Sequence, residues 1–130
     1  MPKFKKKTDA NQAGIAAALR QAGIQVIITN FGNDYPDLLC GWAGVWVLLE
    51  TKNLNGRGVI ERGQLRFLAD ARGFIAVVCD AETAIQTVLD PNEYCLANSQ
   101  QNKIVAWLMR NPTQETLSVK KFFELIAEIG

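Results

Sequence analysis

Two runs of strand-forming residues, Asp37 to Trp42 and Val45 to Lys52, flank the dipeptide Ala43-Gly44. Strand, two-residue turn, strand is the pattern of an antiparallel hairpin, and it constrains the fold more than any other stretch of the chain. Val45 to Leu49 is apolar at every position, so both faces of that strand must be covered, which calls for layers above and below the sheet. Pairing Trp42 with Val45 across the turn sets Asp37 opposite Glu50, and cross-strand partners of this kind have Cβ atoms about 5 Å apart. Glu50 and Lys52, two residues apart on one strand, point to the same face.

The flanking segments supply the layers. Ile15, Leu19 and Ala22 recur at helical spacing between a capping Thr8 and Gly23, and Gln25 to Thr29 is short and β-branched. Asn30 to Pro36 is dense in turn-forming residues, and Asn53 to Gly58 is a glycine-containing loop. Leu65, Leu68 and Ala69 predict a helix over Glu61 to Arg72, Phe74 to Cys79 a buried strand, and Asp80 caps a helix from Ala81 to about Leu89, closed by Asp90-Pro91. Two further helical patterns, about Gln100 to Arg110 and Val119 to Ile129, are separated by Asn111-Pro112-Thr113 and look like an addition to the core. The order predicts an α/β fold with a mixed central sheet flanked by helices, because a hairpin is antiparallel while a helix-linked crossover favours parallel pairing.

Composition narrows the chemistry. The chain has no histidine, which removes Ser-His-Asp and Cys-His nucleophiles, HNH-type and histidine-phosphorylating mechanisms and most zinc hydrolases. Cys40, Cys79 and Cys95 are odd in number, widely spaced and without a C-x-x-C pair, so they are expected to be reduced core thiols. A length of 130 residues, 48% of them hydrophobic and 21% charged, suits one globular domain. No apolar stretch approaches the ~20 residues that cross a bilayer, and the lysine-rich start lacks the apolar segment of a signal peptide, so an intracellular, cytoplasmic protein is expected. Net charge is +1, yet Lys3, Lys5, Lys6 and Lys7 all precede the first acidic residue. Such a tail can contact phosphates without sequence preference, or simply stay solvated. Trp42, Trp46 and Trp107 lie within strands and a helix and read as core residues rather than base-stacking platforms.

Carboxylate and lysine chemistry remains. Facing carboxylates on Asp37 and Glu50 repel unless a proton or cation compensates, and oxygen ligands suit Mg²⁺ or Mn²⁺. Asp37→Ala should then spare the fold, because it relieves that repulsion in the metal-free protein. Lys52 beside them is placed to orient an attacking water, which outlines a phosphodiester hydrolase. The plainer reading makes Glu50 and Lys52 an exposed ion pair and Asp37 the end of a turn. Gln64 and Gln12 each extend the apolar stripe of a helix and so point towards the sheet. Asp9, one turn before Gln12, either approaches the metal or complements the helix dipole.

Pro36-Asp37, then Glu50-Thr51-Lys52, then Gln64, in the order helix, strands, helix, strand, resembles the PD-(D/E)xK nuclease superfamily. Within it, the segments DANQAGIAAALRQAG, PDLLCGW, VLLETK and GQLRFL are similar to the compact VRR-NUC group and to stand-alone nucleases of viruses, over about Thr8 to Leu89. The resemblance implies a restriction-endonuclease-like αβββαβ core over residues 8–90; the residue patterns around it give a basic flexible tail at 1–7 and a helical extension at 91–130 packed on the same domain, which the resemblance does not reach. It implies Mg²⁺ or Mn²⁺ held by Asp37, Glu50 and the main-chain carbonyl of Thr51, with Lys52 at the attacking water and Gln64 in support. Family members place an acidic residue on the first helix, where this chain has Gln12, with Asp9 one turn earlier. Stand-alone relatives commonly dimerise and some cut four-way junctions, so the expectation is a homodimeric, structure-selective DNA endonuclease. Lys3, Lys5, Lys6, Lys7, Arg57 and Gln12 are its expected nucleic-acid contacts. The alternative is a noncatalytic nucleic-acid-binding or assembly module that kept the fold. A doubly wound ligand-binding domain is disfavoured, since the chain has neither G-x-G-x-x-G nor a P-loop sequence.

Overall fold

A computed structural model describes residues 10–29, 31–55 and 58–128. The alanine-rich helix α1 (Ala10–Gln21) buries Ile15, Ala16 and Leu19 on one stripe, and Gly23 follows it in the left-handed region at φ 89°. Strand β1 (Gln25–Ile28) pairs antiparallel with β2 (Leu38–Trp42), which pairs antiparallel with β3 (Val45–Thr51). The hairpin register is the expected one, running from Trp42↔Val45 to Leu38↔Leu49. Its turn has positive φ at both central residues, Ala43 at 53° and Gly44 at 81°, the twist that matches two antiparallel strands.

After β4 (Val59–Glu61) and α2 (Arg62–Asp70), strand β5 (Phe74–Val78) returns parallel to β3, giving a mixed sheet in the order β1-β2-β3-β5. Helix α3 (Ala81–Leu89) starts where Asp80 accepts from the Thr83 N–H, as the sequence predicts. Leu38, Cys40, Val47, Leu49, Ala76 and Val78 pack on one side of the sheet against α1 and α3. On the other side Ile75 and Val77 meet Leu65 and Leu68 of α2, together with helices α5 (Asn98–Arg110) and α6 (Val119–Ala127). A short α4 (Pro91–Tyr94) links α3 to α5.

Three features differ from the sequence reading. The segment after Pro91 is not purely helical: β6 (Thr116–Ser118) pairs antiparallel with β4, Val59↔Ser118 to Glu61↔Thr116. Three-residue strands carry too little alternation to be read in sequence, and their partners are far apart along the chain. The one-turn helix α4 was likewise not expected. Trp42 and Trp46 are 41% and 49% exposed rather than core, while Trp107 is partly buried beside α2 and α6. Gly41, paired with Trp46, leaves room for the indole to lie across it, since a Cβ there would come within 2.8 Å of the ring.

Cys40, Cys79 and Cys95 are free thiols. Burial pushes Cys40 up to about 12 and Cys95 up to about 11, and raises Cys79 as well. Among the described residues no helix is long and apolar enough to cross a membrane.

Candidate active site

The end of β3 delivers the chemistry. Its last residues, Glu50 and Thr51, lie beside β5, and the Lys52 N–H donates to the Val78 carbonyl at 3.0 Å, extending the pairing past the strand. Asn11 of α1 fixes this point from above: its Nδ2 donates to the carbonyls of Lys52 at 3.0 Å and Cys79 at 3.2 Å. The sequence reading passed over Asn11. The signal was available, because Asn11 precedes the buried Ile15 by four residues and so shares its stripe.

Asp37 sits one residue beyond the last hairpin pair, Leu38↔Leu49. Its Oδ2 accepts from the Thr51 N–H at 2.9 Å and from Thr51 Oγ1 at 2.8 Å. A side chain thus takes over where the backbone ladder stops. The Asp37 carbonyl also accepts from the Thr29 N–H at 2.9 Å, so β1 steadies the same residue.

Glu50 is only 4% exposed. Its Oε2 accepts from Gln64 Nε2 at 2.9 Å and lies 3.4 Å from Lys52 Nζ. Lys52 Nζ in turn donates to Gln64 Oε1 at 3.1 Å, closing a triangle. The Glu61 N–H donates to the same Oε1 at 2.9 Å, which fixes the amide's orientation at the start of α2. The ion pair is therefore enclosed, not the exposed pair of the plainer reading. The two carboxylates were expected to face each other and to call for a proton or cation; the protein itself supplies partners to both, Thr51 to Asp37, and Gln64 and Lys52 to Glu50.

Asp37, Glu50, Thr51, Lys52, Gln64 and Gln12 line one cleft of about 280 Å³, with Asn33, Asn53 and Glu61 also in its lining. Sequence reasoning missed the last three, which lie in loops or at a helix start where no periodicity marks an inward side chain. Lys3, Lys5, Lys6, Lys7, Asp9 and Arg57 lie outside the described residues. Among those described, no three acidic or cysteine side chains converge as a metal cage. Mg²⁺ needs less, commonly taking one or two carboxylates and keeping several waters. The carboxylates of Asp37 and Glu50, both lining one polar cleft, fit such an ion by the hardness of their oxygen donors.

Helix α2 is held against the cleft from the other side too. A Cβ on Gly63 would lie 2.1 Å from Asp34 Oδ1, so only glycine lets this carboxylate settle on the first turn, where the helix end favours negative charge. Compared with known protein families, with curated proteins and with solved structures, the chain finds no match in any of the three.

Proposed function

We propose that this chain is a Mg²⁺- or Mn²⁺-dependent endodeoxyribonuclease, selective for branched DNA such as four-way junctions, with the αβββαβ core of the PD-(D/E)xK superfamily. The observation that carries the reading is the enclosed Glu50–Gln64–Lys52 triangle opening on the same cleft as Asp37. A simple surface ion pair has no need of a buried glutamine locked between its partners.

In this reading Asp37, Glu50 and the Thr51 carbonyl hold the divalent ion, which supplies Lewis-acid stabilisation of charge developing on the attacked phosphate. Lys52 donates to Gln64 and forms an ion pair with Glu50 at 3.4 Å, and would direct an N–H to the attacking water, orienting it in line with the phosphorus. Gln64 holds both partners at fixed positions, so the lysine head does not collapse onto the carboxylate. Asn11, by bonding the Lys52 carbonyl, sets the height at which that side chain leaves the sheet. The resemblance extends the proposal to a homodimer presenting two clefts, and to phosphate contacts from Lys3, Lys5, Lys6, Lys7, Arg57 and Gln12.

Labelled linear duplex, single strand, flap and four-way junction, incubated with Mg²⁺, Mn²⁺ or EDTA, test this. Metal-dependent cutting that favours the branched substrates is the expected result. Gln12 stands in the cleft where the superfamily places an acid, which favours a second reading as a noncatalytic binding module. That module would bind DNA in every condition, cut none, and be indifferent to Glu50→Ala.

A further inference from the structure

The loop between β1 and β2 carries an aromatic side chain for which the hydrolytic reading has no task. Phe31 is 72% exposed. It is nevertheless not adrift: its ring meets Tyr35 edge-on at 6.1 Å between centroids, and Tyr35 meets Phe67 of α2 edge-on at 5.3 Å. Asp34 of the same loop sits against Gly63, so two contacts fasten the loop to the helix that carries Gln64. Asn33 of the same loop lines the cleft, and two residues of chain span at most about 7 Å, so the Phe31 backbone lies within about 7 Å of a cleft-lining residue.

An exposed ring fastened on the loop that lines this polar cleft offers a stacking surface to the nucleotide next to the one being cut. Every base has a π-face, so such a platform is indifferent to sequence. In duplex DNA both faces of a base are covered by its neighbours, and only an unpaired or splayed base leaves one open. Trp42 and Trp46 are also exposed but lie near the turn at the far end of the hairpin, four to five strand residues or about 13–17 Å from Asp37.

We propose that Phe31 stacks on an unpaired nucleobase flanking the scissile phosphate, so that the loop recognises strand discontinuity rather than sequence. This rests on the nuclease reading and gives it a means of selecting branched DNA.

The test is made on the full chain with a flap substrate carrying 2-aminopurine at the unpaired position beside the mapped cut. Binding is read by fluorescence in the Lys52→Ala background, which holds the substrate intact, and cleavage is read in the otherwise native protein. Stacking on Phe31 predicts quenching of the probe that is lost on Phe31→Ala. In cleavage, KM for the flap rises about tenfold in Phe31→Ala and Phe31→Leu, with kcat changed far less, and returns in Phe31→Tyr. Cleavage that stays metal-dependent with unchanged KM and unchanged quenching in Phe31→Ala overturns the stacking role and leaves the nuclease standing. Neither binding nor cleavage of any DNA by the native chain overturns both.

Discussion

The Gln64 side chain donates to the buried Glu50 carboxylate at 2.9 Å, and its own oxygen accepts from Glu61 N–H at 2.9 Å. The amide cannot flip without presenting oxygen to a carboxylate and nitrogen to an N–H. Gln64→Ala removes a charge-assisted bond to a desolvated group, a loss of about 1.5–3 kcal/mol in urea unfolding. Its cleavage rate should fall as well, because Lys52 loses the acceptor that holds its head off Glu50.

Asp37 gives the opposite of what its sequence neighbourhood suggests. Crowded carboxylates imply that Asp37→Ala relieves the metal-free fold, whereas this carboxylate is the acceptor for the backbone and hydroxyl of the buried Thr51. Asp37→Ala should therefore destabilise by about 1–3 kcal/mol in EDTA, through a buried N–H left without its acceptor. Asp37→Asn retains an acceptor oxygen and should keep most of that stability while losing cleavage. Equal stability of Asp37→Ala and native protein in urea would contradict the geometry.

Gly63 and Asp34 are coupled. Alanine within a helix is worth up to about 1 kcal/mol over glycine, but at this position the new Cβ must displace Asp34 from the first turn of α2. Gly63→Ala should be less favourable in the native background than in Asp34→Ala by about 1 kcal/mol, measured as a double-mutant cycle. An uncoupled cycle would mean that the loop does not rest on the helix.

The cysteines set an alkaline limit. Burial raises the folded-state values of Cys40 to about 12 and Cys95 to about 11, above their ordinary value of 9.0, so the folded chain holds these protons where the unfolded chain releases them. Their contribution is fully present below pH 9.0 and is lost as pH rises through about 11 to about 12. Urea midpoints should fall across that window, and should fall less in a Cys40→Ala, Cys95→Ala protein. At neutral pH both thiols should react with a disulfide reagent only on unfolding.

How far the chain can be read from sequence depended on how local each signal was. Ala43-Gly44 gave the hairpin register, because a two-residue turn leaves one way to pair its strands. Asp80 and Asp90-Pro91 bounded α3 for the same reason, since caps act within a few residues. Glu50, Lys52 and Gln64 were found as inward-facing polar side chains, and the structure brings all three together. The β4–β6 pair was hidden, because neither short strand has a pattern without its distant partner. Asp37's bonds to Thr51 were hidden too, since they depend on where a ladder stops rather than on which residues it contains.

In the proposed reaction Lys52, clamped between Glu50 and Gln64, serves phosphodiester hydrolysis. Single-turnover cleavage of a labelled four-way junction with Mg²⁺, comparing native protein with Lys52→Ala of verified fold, tests it most directly. Metal-dependent cutting should slow about a thousandfold in the variant, with little change in junction affinity. Cleavage at an undiminished rate in Lys52→Ala, or none by the native protein under any metal, would contradict it.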